Sequence, residues 1–258
     1  MYNSSLRDQK RAILTEDGSM TLFSVEFDEP YHSDRDGAFN ESLQKHVNPA
    51  FRFKSHQKSL TILDICFGLG YNTLATLYYI KKHKLDTKVH IVSPEFDRGL
   101  IESLSSFEYP KEFEEFGEII ATLSRDFYYK DEQFEIEILI GDAREILPTL
   151  SHKFDIVYQD AFSPTHNPLL WTREYFATIA SLMRDDGLLT TYSIASAVRM
   201  GLDESGFKLF IYKGEGIRES MVASFDILDL EFIDMELKKI RNKEARSMRD
   251  EEYLKYSL

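Results

Sequence analysis

The chain has 258 residues, 43% of them apolar and 29% charged, with a formal net charge of −13. That length suits one large domain or one domain with extensions, and no apolar run approaches the roughly 20 residues a membrane-spanning helix needs. One cysteine excludes an internal disulfide, the first residues lack the apolar core of a signal peptide, and the acidity argues against a nucleic-acid partner unless cations gather locally. A cytoplasmic location is expected.

Residues 1–58 read as an N-terminal extension. Ala12 to Leu14 and Met20 to Phe23 flank Asp17-Gly18-Ser19, a hairpin signal. Tyr31-His32-Ser33 and Gly37-Ala38 follow, a stretch that suits a surface loop and a pocket equally. Phe39, Leu43 and Val47, four apart, predict a helix over 38–51.

Leu60, Ile62, Leu63 and Ile65 form the apolar run of a buried parallel strand. Phe67-Gly68-Leu69-Gly70-Tyr71-Asn72 comes next, then Leu74, Leu77 and Tyr78 at helical spacing. This is strand, glycine turn, helix. Glycine allows a sharp turn and close approach of a ligand, and the helix start aims free N–H groups into the turn. A lone Gly-x-Gly also serves many structural turns. Val89 to Ser93 reads as a second strand, and Glu95 stands just past it, where an acid can accept from both hydroxyls of a ribose. Thr73 occupies the place of the third glycine of a dinucleotide site. A nucleoside such as S-adenosylmethionine is therefore expected rather than NAD or FAD.

Residues 98–107 and 111–123 read as helices. Phe134 to Ile140 alternates as a third strand, and Gly141-Asp142-Ala143 caps a short helix that Pro148 limits. Phe154 to Gln159 is the fourth strand, 172–183 a helix, Leu188 to Tyr192 the fifth strand, and 195–205 a helix. Phe207 to Tyr212 and Met221 to Phe225 read as an antiparallel pair. Over 59–226 this alternation predicts an α/β fold with a mostly parallel sheet and helices on both faces. Ligands in such sheets bind at the carboxyl ends of the strands. Gly68, Glu95, Asp142 and Asp160 all follow strands, so one rim collects them.

Asp142 can accept from an adenine amino group while the Ala143 N–H meets a ring nitrogen; it can equally be a helix N-cap. Asp160 heads Asp160-Ala161-Phe162-Ser163-Pro164, which resembles the Asp-Pro-Pro-Tyr motif of amine methyltransferases. A protonated amine has no lone pair to attack a methyl sulfonium. A carboxylate can bind the ammonium, take or pass on a proton, and aim the lone pair; Tyr31 and Tyr192 are the next candidates for the proton. Asp160 could instead only hold its loop. Trp171 could pack or wall the pocket, and Cys66 reads as a packing residue. The seven histidines are scattered, so no metal is expected. In the tail, 227–258, the stretch from Leu237 to Arg249 holds Lys238, Lys239, Arg241, Lys243, Arg246 and Arg249 against Glu244 alone, either a solvated face or a phosphate-contacting tail.

Taken together these motifs are similar to the methyltransferase domain of the MnmC family, the tRNA 5-methylaminomethyl-2-thiouridine enzymes. The resemblance runs from about Thr15 to Ser224. Asp17-Gly18-Ser19, Tyr31-His32-Ser33 with Glu41, and the glycine turn through Asn72 carry its first half. Glu95, Gly141-Asp142-Ala143, the Asp160 loop with Asn167-Pro168 and Trp171, Tyr192-Ser193, Val198-Arg199 and Arg218-Glu219 carry the rest. It implies a Rossmann-like class I methyltransferase that takes a methyl group from S-adenosylmethionine to the aminomethyl group of a wobble uridine in tRNA. Tyr31, Phe67, Gly68, Gly70, Asn72, Glu95, Asp142 and Ala143 are then expected around the cofactor and Asp160 at the reacting amine. Phe162, Pro164, Asn167, Trp171, Tyr192 and Arg199 are expected on the substrate side. Many members continue into a FAD-dependent oxidoreductase domain; no second Gly-x-Gly-x-x-Gly region occurs here, so a stand-alone form fed by upstream aminomethyluridine-forming enzymes is expected. An aminopropyltransferase shares the fold but usually carries Gly-Gly-Gly-Asp-Gly at the turn, and a non-catalytic RNA-binding protein would not need Glu95 and Asp160.

Overall fold

A computed structural model describes residues 9–254. The chain opens with a small antiparallel sheet, β1 (Lys10–Leu14), β2 (Met20–Ser24) and β3 (Glu29–Pro30). Asp17 ties its first turn to the helix beyond: the carboxylate accepts from Ser19 N and from Asn40 N, each at 2.9 Å.

The helix expected over 38–51 runs from α1 (Ala38–Glu41) through a π-helical turn (Ser42–Val47) into α2 (Asn48–Lys54). Its buried face differs from the expected one. Phe39 and Leu43 are half-buried, while Ala38, Glu41, Ser42, Lys45 and His46 form the first buried stripe. Val47, Ala50, Phe51 and Lys54 continue it one residue out of phase. The π turn supplies that extra residue, a device common near functional sites. Charged groups are tolerated on this stripe because they pair: Lys45 Nζ donates to Asp36 Oδ2 and Glu41 Oε1, each at 2.7 Å.

The main sheet has nine strands. In chain order they are β4 (Ser59–Ile65), β5 (Lys88–Glu95), β6 (Tyr128–Lys130), β7 (Phe134–Ile140), β8 (Phe154–Gln159), β9 (Met183–Thr191), β10 (Lys208–Tyr212), β11 (Ser220–Ser224) and β12 (Glu231–Phe232). Across the sheet the order is β12-β10-β11-β9-β8-β4-β5-β7-β6. The central β9-β8-β4-β5-β7 pairs are parallel, and β6, β10, β11 and β12 pair antiparallel. The register sets Ile62 beside Ile156 and Leu63 beside Val157. Ile62 and Ile156 belong to one apolar core and Leu63 and Val157 to the other, so both faces are covered. α1 and α2 share the first core with α3 (Tyr71–Lys82) and α5 (Gly117–Asp126); α7 (Arg173–Leu182) and α8 (Ser196–Glu204) share the second.

Several expectations need correction. Residues 98–107 divide into α4 (Arg98–Ser103) and a 3₁₀ turn, and a 3₁₀ stretch Lys111–Phe116 precedes α5. β9 begins at Met183, not Leu188, because its first residues include exposed Arg184 to Asp186, which hide the apolar pattern. β6 and β12, of 3 and 2 residues, are too short to show one. Beyond Phe225 the chain stays ordered through α9 (Met235–Arg241) and α10 (Asp250–Tyr253), with Ile233, Met235 and Met248 buried in the second core.

Candidate active site

β4 runs into the glycine turn, where Cys66, Gly68 and Gly70 have φ of 64°, 54° and 74°. A Cβ at Gly70 would lie 2.7 Å from the Phe67 ring, so only glycine fits this left-handed N-cap of α3. A Cβ at Gly68 would come within 3.3 Å of the Tyr31 ring, which lies across the turn. Glu95, the last residue of β5, is buried. Its Oε2 accepts from Gly68 N at 2.8 Å and its Oε1 from Asp97 N at 2.7 Å. Burial raises its pKa against the pull of these donors, and each oxygen keeps a lone pair for a further donor. Asp142 caps α6 (Ala143–Ile146), accepting from Arg144 N at 2.8 Å through Oδ1; Oδ2 remains for a ligand.

Tyr31, Phe67, Gly68, Glu95, Asp142 and Ala143 line one cavity of about 1050 Å³, which Asn72, Asp160, Phe162, Asn167 and Tyr192 also line. This donor set fits S-adenosylmethionine. It offers a buried acid for two ribose hydroxyls, a carboxylate beside an N–H for an adenine edge, and a glycine cradle with no side chain in the way. Gly70 does not line the cavity; it shapes the helix start instead.

Asp160 follows β8 and is half-buried, its side chain 10% exposed. Its Oδ2 accepts from Asn72 Nδ2 at 2.8 Å, and its Oδ1 lies 3.3 Å from His46 Nε2. The His46 contact is too poorly aligned for a hydrogen bond and acts through charge; Nδ1 of the same ring pairs with Thr190 Oγ1 at 3.0 Å. Burial would raise the Asp160 pKa, but His46, His32 and the Asn72 amide outweigh it and hold the carboxyl well below its usual range. Asp160 is therefore an anion at any ordinary pH. The amide of Asn72, expected at the cofactor, is turned to Asp160. Asp64 takes a weaker share at 3.4 Å, and burial pushes the Asp64 carboxyl up to about 7.

The loop after Asp160 is fixed from several sides. Gln159 Nε2 donates to Leu170 O at 2.9 Å and Tyr192 Oη to Ala161 O at 2.9 Å. Glu29 of β3 accepts from Ser163 N at 3.1 Å and meets His166 Nδ1 at 2.7 Å. Phe162 stacks on Phe27 at 4.4 Å. Trp171 is the buried post of this loop: it is 0% exposed and its Nε1 donates to Phe162 O at 2.8 Å. With no free face it cannot stack a base, which corrects its expected place on the substrate side. Pro164 and Arg199 lie outside the cavity lining; Arg199, on α8, has its Nε buried and unpartnered and feels the charge of the cavity-lining Glu219. Burial pushes the Tyr31 and Tyr192 phenols well up, so neither ionises to take a proton near neutral pH.

Sequence reasoning missed Lys45, His46 and the C-terminal side of the cavity. Lys45 and His46 sit on a helix whose apolar spacing pointed elsewhere. Arg144 and Tyr253 also line the cavity, and Arg144 ion-pairs with Asp250 at the start of α10. Part of the basic tail is spent internally: Lys239 bonds Asp203 at 2.7 Å and Arg249 bonds Glu204 at 2.9 Å. Away from the cavity, the β5–β7 register brings His90 within 2.9 Å of Glu137, beside Glu135. That grouping was invisible in the sequence. Glu135 already accepts from Lys130 and Tyr128 at 2.9 Å each, and no metal is assigned.

A family model described as S-adenosyl-L-methionine-dependent methyltransferase matches residues 111–226. The crystal structure of MNMC2 from Aquifex aeolicus superposes with a TM-score of 0.83 at 33% identity, covering 94% of this chain and 79% of that one. The chain belongs to the MnmC family of S-adenosylmethionine-dependent methyltransferases. It is also 29% identical over 227 residues to the uncharacterized protein MJ0670 of Methanocaldococcus jannaschii, covering 85% of this chain and 60% of that protein. It is 29% identical over 228 residues to the tRNA 5-methylaminomethyl-2-thiouridine biosynthesis bifunctional protein MnmC of Ralstonia nicotianae, covering 80% of this chain but 33% of that protein. The chain thus spans about a third of the bifunctional relative. The matching family model names S-adenosylmethionine as the cofactor, the nucleoside expected from the glycine turn and Glu95. Among the described residues no helix is long and apolar enough to cross a membrane.

Proposed function

We propose that this protein methylates the amine of an aminomethyl-(2-thio)uridine at the wobble position of tRNA. One observation carries the reading: Asp160, a carboxylate that His46, His32 and Asn72 hold well below the usual carboxylate range, lies in the same cavity as the cofactor cradle. An anion there suits an ammonium acceptor. The names of the bifunctional relatives supply the class of acceptor. When bound, S-adenosylmethionine supplies an electrophilic methyl group on a sulfonium.

This chain's residues then divide the work. Glu95 takes the ribose hydroxyls, and Asp142 with the Ala143 N–H takes the adenine edge. Asp160, braced by Asn72 and His46, binds and aims the ammonium, and Phe162, Asn167 and Tyr192 wall the acceptor. The exposed cations Lys238, Arg241, Lys243 and Arg246, which form no ion pair among the described residues, are left to meet phosphates. Residues 59–226 form the catalytic unit in this reading, with the N-terminal extension, described from residue 9, packing on it and the basic tail beginning at residue 227. A cytoplasmic location and delivery of the aminomethyl acceptor by another enzyme belong to the same proposal.

The test is mass spectrometry of tRNA bearing 5-aminomethyl-2-thiouridine after incubation with protein and cofactor. A gain of one methyl group at the wobble nucleoside is expected. Methylation of small amines with tRNA untouched would replace the acceptor class, and turnover of only the decarboxylated cofactor would make the protein an aminopropyltransferase.

Glu95→Ala is expected to weaken S-adenosylhomocysteine binding by about 1.5–3 kcal/mol in isothermal titration, as for hydrogen bonds to a charged group. Unchanged affinity would remove Glu95 from the ribose.

A further inference from the structure

The amine must shed a proton before it can attack, and Asp160 is a poor acceptor for it. A carboxylate held below its ordinary range binds an ammonium well and takes its proton badly. The other groups of the cavity are also unsuited. Tyr192 Oη is committed to Ala161 O, and Glu41 already accepts from Lys45 Nζ and Ser33 N, each at 2.7 Å. Burial holds the Cys66 thiol protonated.

Two histidines line the cavity; His166 is engaged through Nδ1 by Glu29 at 2.7 Å, which leaves His32. His32 sits in the Tyr31-His32-Ser33 turn and is 7% exposed. Its Nδ1 is buried with no hydrogen-bond partner, 3.9 Å from Glu41 Oε2. Nε2 is not sealed in this way and, on a ring that lines the cavity, is the nitrogen left to accept a proton. The ring is braced edge-on by Tyr71 of α3, with centroids 4.9 Å apart. We propose that His32 is the general base of the transfer and takes the proton of the ammonium that Asp160 holds.

The step balances without another reagent. His32 Nε2 removes one N–H proton from the ammonium and leaves a lone pair on nitrogen. That pair forms the N–CH3 bond as the S–CH3 bond breaks, and the electrons of the broken bond stay on sulfur. The product leaves as a methylammonium, and the imidazolium returns its proton to water. Burial supports the assignment by lowering the His32 pKa, opposed in part by the charges of Asp160, Glu41 and Asp17 and reinforced by His46. The neutral, proton-accepting ring is therefore present at neutral pH and persists somewhat below the usual histidine range.

The inference rests on an amine acceptor, the reading given above, and its test separates the two. Single-turnover methyl transfer to tRNA bearing 5-aminomethyl-2-thiouridine is followed against pH for the parent, His32→Gln and His32→Asn. The parent is expected to reach its plateau while the free amine is still protonated. At pH 7 both variants should be slower by roughly 10²–10⁴, the range for a positioned base. Their rates should climb with pH until the free amine predominates, closing most of the gap, and added imidazole should restore part of the loss. A parent profile that follows the free amine, or variants slowed equally at every pH, would overturn the assignment. Should the parent leave this tRNA unmethylated, the acceptor reading fails and ring NMR decides for His32. An imidazole neutral at pH 7 and perturbed by Asp160→Asn is expected, and one protonated at pH 7 overturns the proposal.

Discussion

Asp160→Asn is expected to slow single-turnover methyl transfer by roughly 10²-fold or more, the cost of misplacing a reactant, while S-adenosylhomocysteine affinity stays near the parent value. The substitution keeps the size of the side chain and removes its charge. Asn72 and His46, which brace the carboxylate at 2.8 and 3.3 Å, remain in place. What is lost is the anion that holds and orients the ammonium. The cofactor cradle at Gly68, Glu95 and Asp142 is built from other strand ends, so binding there should not follow the rate. Single-turnover measurement matters because slow product release can hide a chemical defect in steady state. Asp160 stays ionised far below neutrality, so loss of activity on mild acidification is not expected from its titration. Near-parent single-turnover rates in Asp160→Asn would remove the carboxylate from the reaction.

The strand ends at the rim were legible because β4, β5, β7 and β8 are apolar runs soon closed by a glycine or an acid. Gly68, Glu95, Asp142 and Asp160 could be placed on one rim from spacing alone, and the structure sets all four in the cavity lining. Asp160 was legible as an acid on the rim, but its low proton affinity was not, because it depends on His46 and His32 from distant parts of the chain. His46 lies on a helix whose apolar residues, Phe39, Leu43 and Val47, pointed to a different face. The π turn and the buried polar stripe follow from pairing among Asp36, Glu41 and Lys45, a tertiary fact with no periodic signature. Trp171 was ambiguous for a similar reason: a lone tryptophan after a loop does not reveal whether its indole N–H meets a ligand or, as here, a carbonyl of the same loop. The two short edge strands and the α10 contact to Arg144 carry no periodicity to read.

Lys45→Met is expected to lower folding stability by about 3–5 kcal/mol, the cost of removing one partner from a buried ionic cluster. Lys45 is 3% exposed, and its Nζ bridges Asp36 and Glu41, themselves 8% and 7% exposed. Methionine fills the space of the stem but leaves two carboxylates buried without their cation. Arg218 cannot replace it, since its guanidinium is largely exposed and 3.9 Å from Asp36. Burial opposes the charge on Lys45, but Glu41 and Asp36 outweigh it and raise its pKa above 10.5. A raised lysine contributes stability that is complete below its unfolded value and lost only as pH rises through the folded one. The parent thus keeps the full contribution at pH 7. Denaturant midpoints at pH 7, with unchanged m-values, provide the measurement. Adding Asp36→Asn and Glu41→Gln to Lys45→Met should recover much of the loss, because an uncharged cluster has no unpaired ion to bury. Glu41 also holds Ser33 N beside His32, so the single variant should lose methyl transfer even at temperatures where it remains folded. A loss below about 1 kcal/mol at pH 7 would mean that water reaches the cluster and that the pairing does not hold the Tyr31-His32-Ser33 turn in place.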